Sequence, residues 1–285
     1  MRADKSRPVL ITGCSTGIGR ATAERLASDG WSVYATARQV ADIEDLRSRG
    51  AKTIALDVTD GASMSAAVSE VEREGGPIGA LVNNAGYSQS GAVETIPMES
   101  VRRQFETNVF GLMRMCQLVL PGMRSAGSGR IVNLSSMGGK LTFPGGGVYH
   151  ATKHAVEALS DALRFEVAGF GIDVVVIEPG LIKTAFGETA VGSMAEVDSE
   201  GPYGGFNTQV AAATASAYDG PMAKLGAGPD AVAAKIETAL TARRPSTRYK
   251  VTASANVIMG MRHAMTDRMW DRFVGSQFPR PKAGG

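Results

Sequence analysis

The sequence predicts a single α/β domain over residues 1–285, doubly wound about a mainly parallel sheet of about seven strands. Three observations carry this. Short β-branched runs alternate with amphipathic stretches along most of the chain. The runs are apolar throughout, as in strands buried on both faces. Glycine is over-represented, at 35 of 285 residues against a usual ~7%, and it falls between the apolar runs, where turns and close backbone approaches need it. A hydrophobic share of 44% with 20% charged residues excludes a disordered or collagen-like chain.

Residues 8–11 (PVLI) read as the first strand and 17–28 as the first helix. A strand at 32–36 (SVYAT), a helix over 42–49, a strand at 53–56 (TIAL) and a helix over 63–73 follow. Residues 80–83 form a short strand, 98–124 a long helix, 130–134 (RIVNL) a strand, 148–167 a helix and 173–177 (DVVVI) a strand. Connections between such parallel strands are right-handed. The pattern loosens over residues 186–228, rich in Gly and Ala with scattered Met194, Tyr203, Phe206, Tyr218 and Met222. A segment that long implies function or short helices of its own. Helical character returns over 230–240, and 247–251 completes the strands. The extension at about 252–285 carries Val257, Ile258, Met261, Met265, Met269, Trp270 and Phe273, too apolar a set for a free tail, so it should pack on the body or on another subunit.

The net charge of +2 gives no footprint for a nucleic-acid partner. Two cysteines, Cys14 and Cys116, cannot make a disulfide framework, and His150, His154 and His263 form no metal-ligand pattern with them, so no metal site is expected. The first residues lack the apolar core of a signal peptide, and no stretch reaches 18 uninterrupted apolar residues. A cytoplasmic setting without a membrane span is the resulting expectation.

The chemistry begins at TGCSTGIG, residues 12–19, after a strand and at the start of a helix. Gly13, Gly17 and Gly19 let the backbone approach a pyrophosphate, with Ser15, Thr16 and Ile18 around it, and the helix N-terminus offers free N–H groups. A glycine-rich turn with no ligand would look the same. At the end of the second strand, where an acid would bind a ribose 2′-hydroxyl, stands Arg38, which attracts a 2′-phosphate and favours NADP(H), or else caps a surface loop. Asp57 and Val58 follow the third strand, where Asp57 could meet an adenine amino group. Asn84, Ala85 and Gly86 follow the fourth, small enough for a cofactor to lie over the sheet edge.

Tyr149 and Lys153 are one helical turn apart on one face, so an ammonium there would favour the phenolate and tune the tyrosine for proton transfer at a carbonyl oxygen. Such a pair alone is common by chance. Ser136, just after a strand, could hydrogen-bond the same oxygen, with Ser135 as its neighbour. Asn108 interrupts an apolar stripe of Phe105, Val109, Leu112 and Cys116, either as a satisfied structural amide or as the holder of a water in a proton relay.

Taken in order, TGxxxGIG, NNAG, Asn108, Ser136 and YxxxK resemble the short-chain dehydrogenase/reductase family over about residues 8–185. The resemblance implies a Rossmann-type fold and a catalytic tetrad of Asn108, Ser136, Tyr149 and Lys153. It implies that Tyr149 and Lys153 also touch the cofactor. Residues 179–184 (PGLIKT) match a segment that holds the nicotinamide carboxamide, which adds Pro179, Gly180, Ile182 and Thr184. Thr152 stands where the family often has Ser, a departure that keeps the hydroxyl. The opening ITGCSTGIG with VYATAR is similar to the branch of hydroxysteroid and retinol dehydrogenases and of many bacterial reductases. The implied activity is NADP(H)-dependent hydride transfer with a small-molecule carbonyl or secondary alcohol. A non-catalytic NADP-binding sensor or scaffold is the alternative from another class, disfavoured by the intact tetrad.

Two further expectations concern surfaces. Residues 186–228 should form a mobile lid over a lipophilic substrate, with Gly187, Gly192, Gly201, Gly204 and Gly205 easing motion and Glu188, Glu196, Asp198 and Glu200 disfavouring an anionic ligand. Helices 98–124 and 148–167 should pair copies into a homodimer or homotetramer, with a stripe of Val156, Leu159 and Leu163 beside small Ala155, Ala158 and Ala162.

Overall fold

The computed structural model describes residues 3–196, 201–278 and 280–281. Seven strands form one wholly parallel sheet: β1 (Val9–Ile11), β2 (Val33–Ala37), β3 (Lys52–Ala55), β4 (Ala80–Asn83), β5 (Gly129–Leu134), β6 (Ile172–Pro179) and β7 (Arg248–Val251). Their order, β3-β2-β1-β4-β5-β6-β7, reverses direction between β1 and β4, and a ligand crevice opens at the strands' carboxyl ends at such a switch point.

Alternate residues of each strand feed opposite faces. Val9 and Ile11 join Val132, Val175 and Ile177 in a core covered by α1 (Gly17–Ser28), the 3-10 turns Val40–Arg49 and α8 (Pro229–Thr241). Leu10 joins Leu81, Ile131 and Val174 on the other face, under α2 (Gly61–Gly75), α4 (Leu112–Ser125) and α5 (Gly147–Val167).

The helix expected over residues 98–124 is divided. It runs as α3 (Met98–Phe105), one π turn at Glu106–Gly111, then α4. Gly111 lies so close to the β3–α2 connection that an added Cβ would stand 2.4 Å from Val58 O. The π turn carries Asn108, and such turns frequently mark functional positions. Residues 42–49 wind as a 3-10 rather than an α-helix, ending at Gly50 with a left-handed φ of 91°.

Within residues 186–228 the described part is mostly helical: α6 (Phe186–Gly192), α7 (Gly204–Asp219) and 3-10 turns at Ser193–Glu196 and Pro221–Leu225. The acidic residues Asp198 and Glu200 lie outside the described residues. After β7, α9 (Ala253–Ala264) and α10 (Asp267–Gln277) fold back on the body. Ala255, Met259, Trp270 and Val274 form a third small core with Leu141, flanked by Met137 and Phe143 from the loop after β5. Among the described residues no helix is long and apolar enough to cross a membrane.

Candidate active site

The glycine-rich turn between β1 and α1 is held by its neighbours. Thr12 Oγ1 accepts from the N–H groups of Asn84 and Ala85, each at 3.0 Å. Asn84 Nδ2 donates to the carbonyls of Thr12 and Gly13, each at 2.9 Å. The turn and the NNAG segment therefore form one hydrogen-bonded unit across β1 and β4. Gly13 and Gly17 have φ of 72° and 59°, the region glycine tolerates best. An added Cβ on Gly19 would lie 2.2 Å from Gly13 O and 2.4 Å from Asn84 Nδ2. Cys14 is buried beneath, its thiol pushed up to about 12 by burial, and is chemically inert there.

Above this turn lies a cleft of ≈ 1570 Å³. Gly13, Ser15, Thr16, Gly17 and Ile18 line one end, with Arg38, Asp57, Val58, Asn84, Ala85 and Gly86. Arg38 is exposed at the end of β2 and forms no ion pair among the described residues. Asp57 Oδ1 is already occupied by the N–H and hydroxyl of Thr59, at 2.9 and 2.7 Å. Across the cleft, Pro179, Gly180, Ile182 and Thr184 form the facing wall. Thr184 meets the turn itself: a Cβ on Gly17 would sit 3.4 Å from Thr184 Cγ2. A Cβ on Gly180 would strike the hydroxyls of Thr252 and Ser254 at 2.4 and 2.5 Å. This cradle of glycines, open N–H groups and a free guanidinium fits a dinucleotide.

Ser136, Tyr149 and Lys153 line the middle of the same cleft. Ser136 ends β5's extension, and its Oγ accepts from Gly138 N–H at 3.1 Å and hydrogen-bonds Tyr149. Burial pushes the Tyr149 phenol up, and the Ser136 hydrogen bond pulls the other way. Lys153 Nζ donates to Leu134 O at 2.8 Å and lies 5.8 Å from the Tyr149 ring. Burial draws Lys153 down to about 8, against the pull of Glu157. The lowering of the tyrosine expected from a neighbouring ammonium is not seen: burial dominates at Tyr149, and Tyr218 adds to the rise.

Asn108 and Gly19 stand behind the cleft wall rather than in it. Asn108 Nδ2 donates to Tyr87 O at 2.9 Å and to Thr152 Oγ1 at 3.1 Å, and Oδ1 accepts from Tyr87 N–H at 3.1 Å. A Cβ on Gly86 would lie 3.1 Å from Asn108 Oδ1 and 3.8 Å from Lys153 Nζ, which places the amide next to the ammonium.

Two features escaped the sequence, and a third was expected from it only as apolar cover. A polar ladder crosses the sheet interior: Asn83 Nδ2 donates to Asn133 Oδ1 at 2.9 Å, and Asn133 Nδ2 to Ser160 Oγ at 2.9 Å, tying β4 and β5 to α5. Behind Lys153, buried Glu157 and Glu178 share Arg248, whose Nε is 3.0 and 3.4 Å from them, while Lys140 is 2.8 Å from Glu157. The far end of the cleft is walled by Phe186, Val210, Met222, Ile258, Met261 and Phe273 from α6, α7, the 3-10 turn Pro221–Leu225 and the C-terminal helices. The apolar composition of those segments was the only sequence signal for the third.

Residues 7–193 match the family model described as short chain dehydrogenase. This chain belongs to the short-chain dehydrogenase family. An NADPH-dependent 3-dehydrocapnine reductase of Ornithobacterium rhinotracheale is 34% identical over 93% of this chain and 95% of its own. A 3-ketodihydrosphingosine reductase of Bacteroides thetaiotaomicron is 41% identical over 62% of this chain and 65% of its own. A solved short-chain dehydrogenase from Streptomyces avermitilis is 33% identical, with a TM-score of 0.77, over 96% of this chain and 97% of that one. This short-chain dehydrogenase is accordingly an oxidoreductase of alcohol and carbonyl groups, with the nicotinamide-dependent chemistry general to its family.

Proposed function

We propose that the protein is an NADPH-dependent carbonyl reductase, working reversibly on a lipophilic ketone or secondary alcohol. The observation that carries this reading is the convergence of Ser136, Tyr149 and Lys153 in one cleft, beside a glycine cradle with Arg38 at its edge. A bound nicotinamide supplies hydride to the carbonyl carbon. Tyr149 delivers the proton to the oxygen, and Ser136 holds that oxygen in place. Lys153 binds the nicotinamide ribose and biases Tyr149 toward ionisation. Gly13, Ser15, Thr16, Gly17 and Ile18 take the pyrophosphate, with Gly19 beneath them keeping the turn close, and Asp57, Val58, Asn84, Ala85 and Gly86 bound the adenosine side. Pro179, Gly180, Ile182 and Thr184 hold the carboxamide. The side chain of Asn108 is occupied by Tyr87 and Thr152, so its part in a water relay would run through its main chain, which lies in the π turn.

Arg38 supports NADPH over NADH. It is an exposed guanidinium at the end of β2 with no carboxylate partner among the described residues, and such a group can bind a 2′-phosphate through two hydrogen bonds. The named cofactor of the O. rhinotracheale relative agrees with this. The apolar far wall supports a lipophilic substrate. Phe186, 5.4 Å from the Tyr149 ring, with Val210 and Met222 in the cleft lining, supports a lid formed from residues 186–196 and 201–228 that excludes water. Val156 and Leu163 of the expected stripe pack into the chain's own core, while exposed Ala158, Ala162 and Phe165 on α5, the last 90% exposed, favour a homo-oligomer through this helix, which light scattering at micromolar concentration tests. A cytoplasmic setting goes with this reading, and cell fractionation tests it.

Single-turnover oxidation of bound NADPH by a panel of carbonyls tests the function. Lipophilic ketones should oxidise it and small charged keto acids should not. Failure of every carbonyl with both NADPH and NADH, despite cofactor binding, would leave a dinucleotide-binding sensor instead.

A further inference from the structure

We propose that His150 is a specificity-determining residue whose Nε2–H donates a hydrogen bond to an oxygen on the carbon β to the reacting carbonyl, so that the substrates are lipophilic ketones oxygenated at that carbon. This rests on the reading above, in which Ser136 and Tyr149 hold the reacting oxygen.

His150 follows Tyr149 in the first turn of α5 and lines the cleft, although only 8% of it is exposed. Its ring is locked. Nδ1 accepts the N–H of Phe143 at 3.3 Å, and the Phe143 ring meets it edge-on with centroids 6.3 Å apart. Two glycines flank the imidazole: an added Cβ on Gly146 would lie 2.5 Å from Cε1, and one on Gly138 would lie 2.5 Å from Cδ2. No other residue type fits at either place without displacing the ring.

That clamping decides the chemistry of the free edge. With Nδ1 accepting, the proton of the neutral imidazole sits on Nε2. Burial draws the ring down to about 4, so it stays neutral around pH 7 and presents a donor rather than a charge. Among the described residues Nε2 meets no protein acceptor, and it is not sealed from the cleft.

Position then selects the ligand. The Gly138 Cβ that would touch Nε2 at 3.1 Å would also lie 3.5 Å from Ser136 Oγ. The imidazole donor and the serine hydroxyl thus flank the same glycine. Two oxygens on alternate carbons of one chain span such a gap, one taken by Ser136 and Tyr149 and the other by His150. A plain ketone leaves Nε2–H unpaired once the cleft has lost its water, and an unpaired buried donor is costly.

The test compares a long-chain methyl ketone with the same ketone carrying a hydroxyl on its β-carbon, both with NADPH. The wild-type protein should favour the hydroxyketone in kcat/KM by roughly tenfold, the size of one hydrogen bond to a buried donor. His150→Phe keeps an aromatic ring beside Phe143 and should bring that ratio to about one. His150→Gln restores an N–H donor and should recover part of the preference. Because each ratio is taken within one variant, losses of folding or cofactor affinity cancel, and a melting temperature checks each variant. A wild-type ratio near one, or a ratio that survives His150→Phe, overturns the proposal while leaving the reductase reading intact. Turnover of neither ketone with NADPH or NADH overturns that reading and this proposal with it.

Discussion

Glu178→Gln should stabilise the protein at alkaline pH. The Glu178 side chain is fully buried on β6, and neither of its carboxyl oxygens has a hydrogen-bond donor among the described residues. Burial and the facing Glu157 carboxylate raise it from 4.5 to about 7, against the pull of Lys140, Arg248 and Lys250. The folded state therefore keeps a proton that the unfolded chain releases near 4.5. Between those values the native state binds more protons than the unfolded state, so Glu178 makes stability fall as pH rises. Its penalty is absent below 4.5, grows through the interval and is complete above 7. At about 1.4 kcal/mol per pH unit the whole interval costs about 3 kcal/mol. The amide of Gln carries no such penalty, and its N–H can serve Glu157 Oε1, which lacks a partner. Urea unfolding of both proteins at pH 5 and pH 8, at one protein concentration, reads the difference. The variant's advantage should grow by about 2–3 kcal/mol from the lower to the higher pH. Taking the difference between proteins matters, because neutral His150 works in the opposite sense: its lowered value makes stability rise with pH between about 4 and 6.5. An advantage that does not change with pH, or a variant less stable at pH 8, would refute the account of the buried pair.

Tyr149→Phe should lower kcat by ~10²–10⁴-fold while NADPH affinity stays within a few-fold, and retention of a tenth of kcat would remove the tyrosine as proton donor. Ala37→Asp combined with Arg38→Leu should shift the ratio of NADPH to NADH dissociation constants toward NADH, and equal affinity of the wild-type protein for the two cofactors in dilute salt would sink the role of Arg38. Gly19→Ala should cost about 1–3 kcal/mol and weaken cofactor binding, since its Cβ meets a carbonyl and an amide that hold the turn; an unchanged melting temperature would contradict that geometry. Shortening α7 by a few residues around Gly204 should raise KM for bulky ketones more than for small ones, and equal effects would remove the lid.

The parallel sheet was legible because its signal is local. Apolar runs such as VLI and VVVI stand between amphipathic stretches, and the strands fall where those runs are. The cofactor side of the cleft was legible for a related reason: its residues cluster in contiguous motifs at strand ends, so reading the motif locates the place. Ser136, Tyr149 and Lys153 come together because the twelve-residue connection that carries Ser136 returns the chain to α5, whose Lys153 Nζ donates to Leu134 O at the end of β5. What stayed hidden depends on contacts between distant segments. Glu157 and Glu178 belong to no motif, and nothing in the sequence signals that β6 and α5 bury them around Arg248. Asn83 reads as part of a turn motif, yet its amide serves Asn133 across the sheet, and only its neighbour Asn84 faces the glycine turn. His150 stands one helical turn before His154, a spacing from which no metal site was expected and nothing else was read. The fold separates the two rings: His154 Nδ1 pairs with His150 O, and the His150 ring turns into the cleft between two glycines that come from the loop before α5. Periodicity says which face of a helix is apolar. It does not say which polar side chain on that face meets a vacancy left by glycine, and in this cleft the vacancy at Gly138 lies between the His150 ring and Ser136 Oγ.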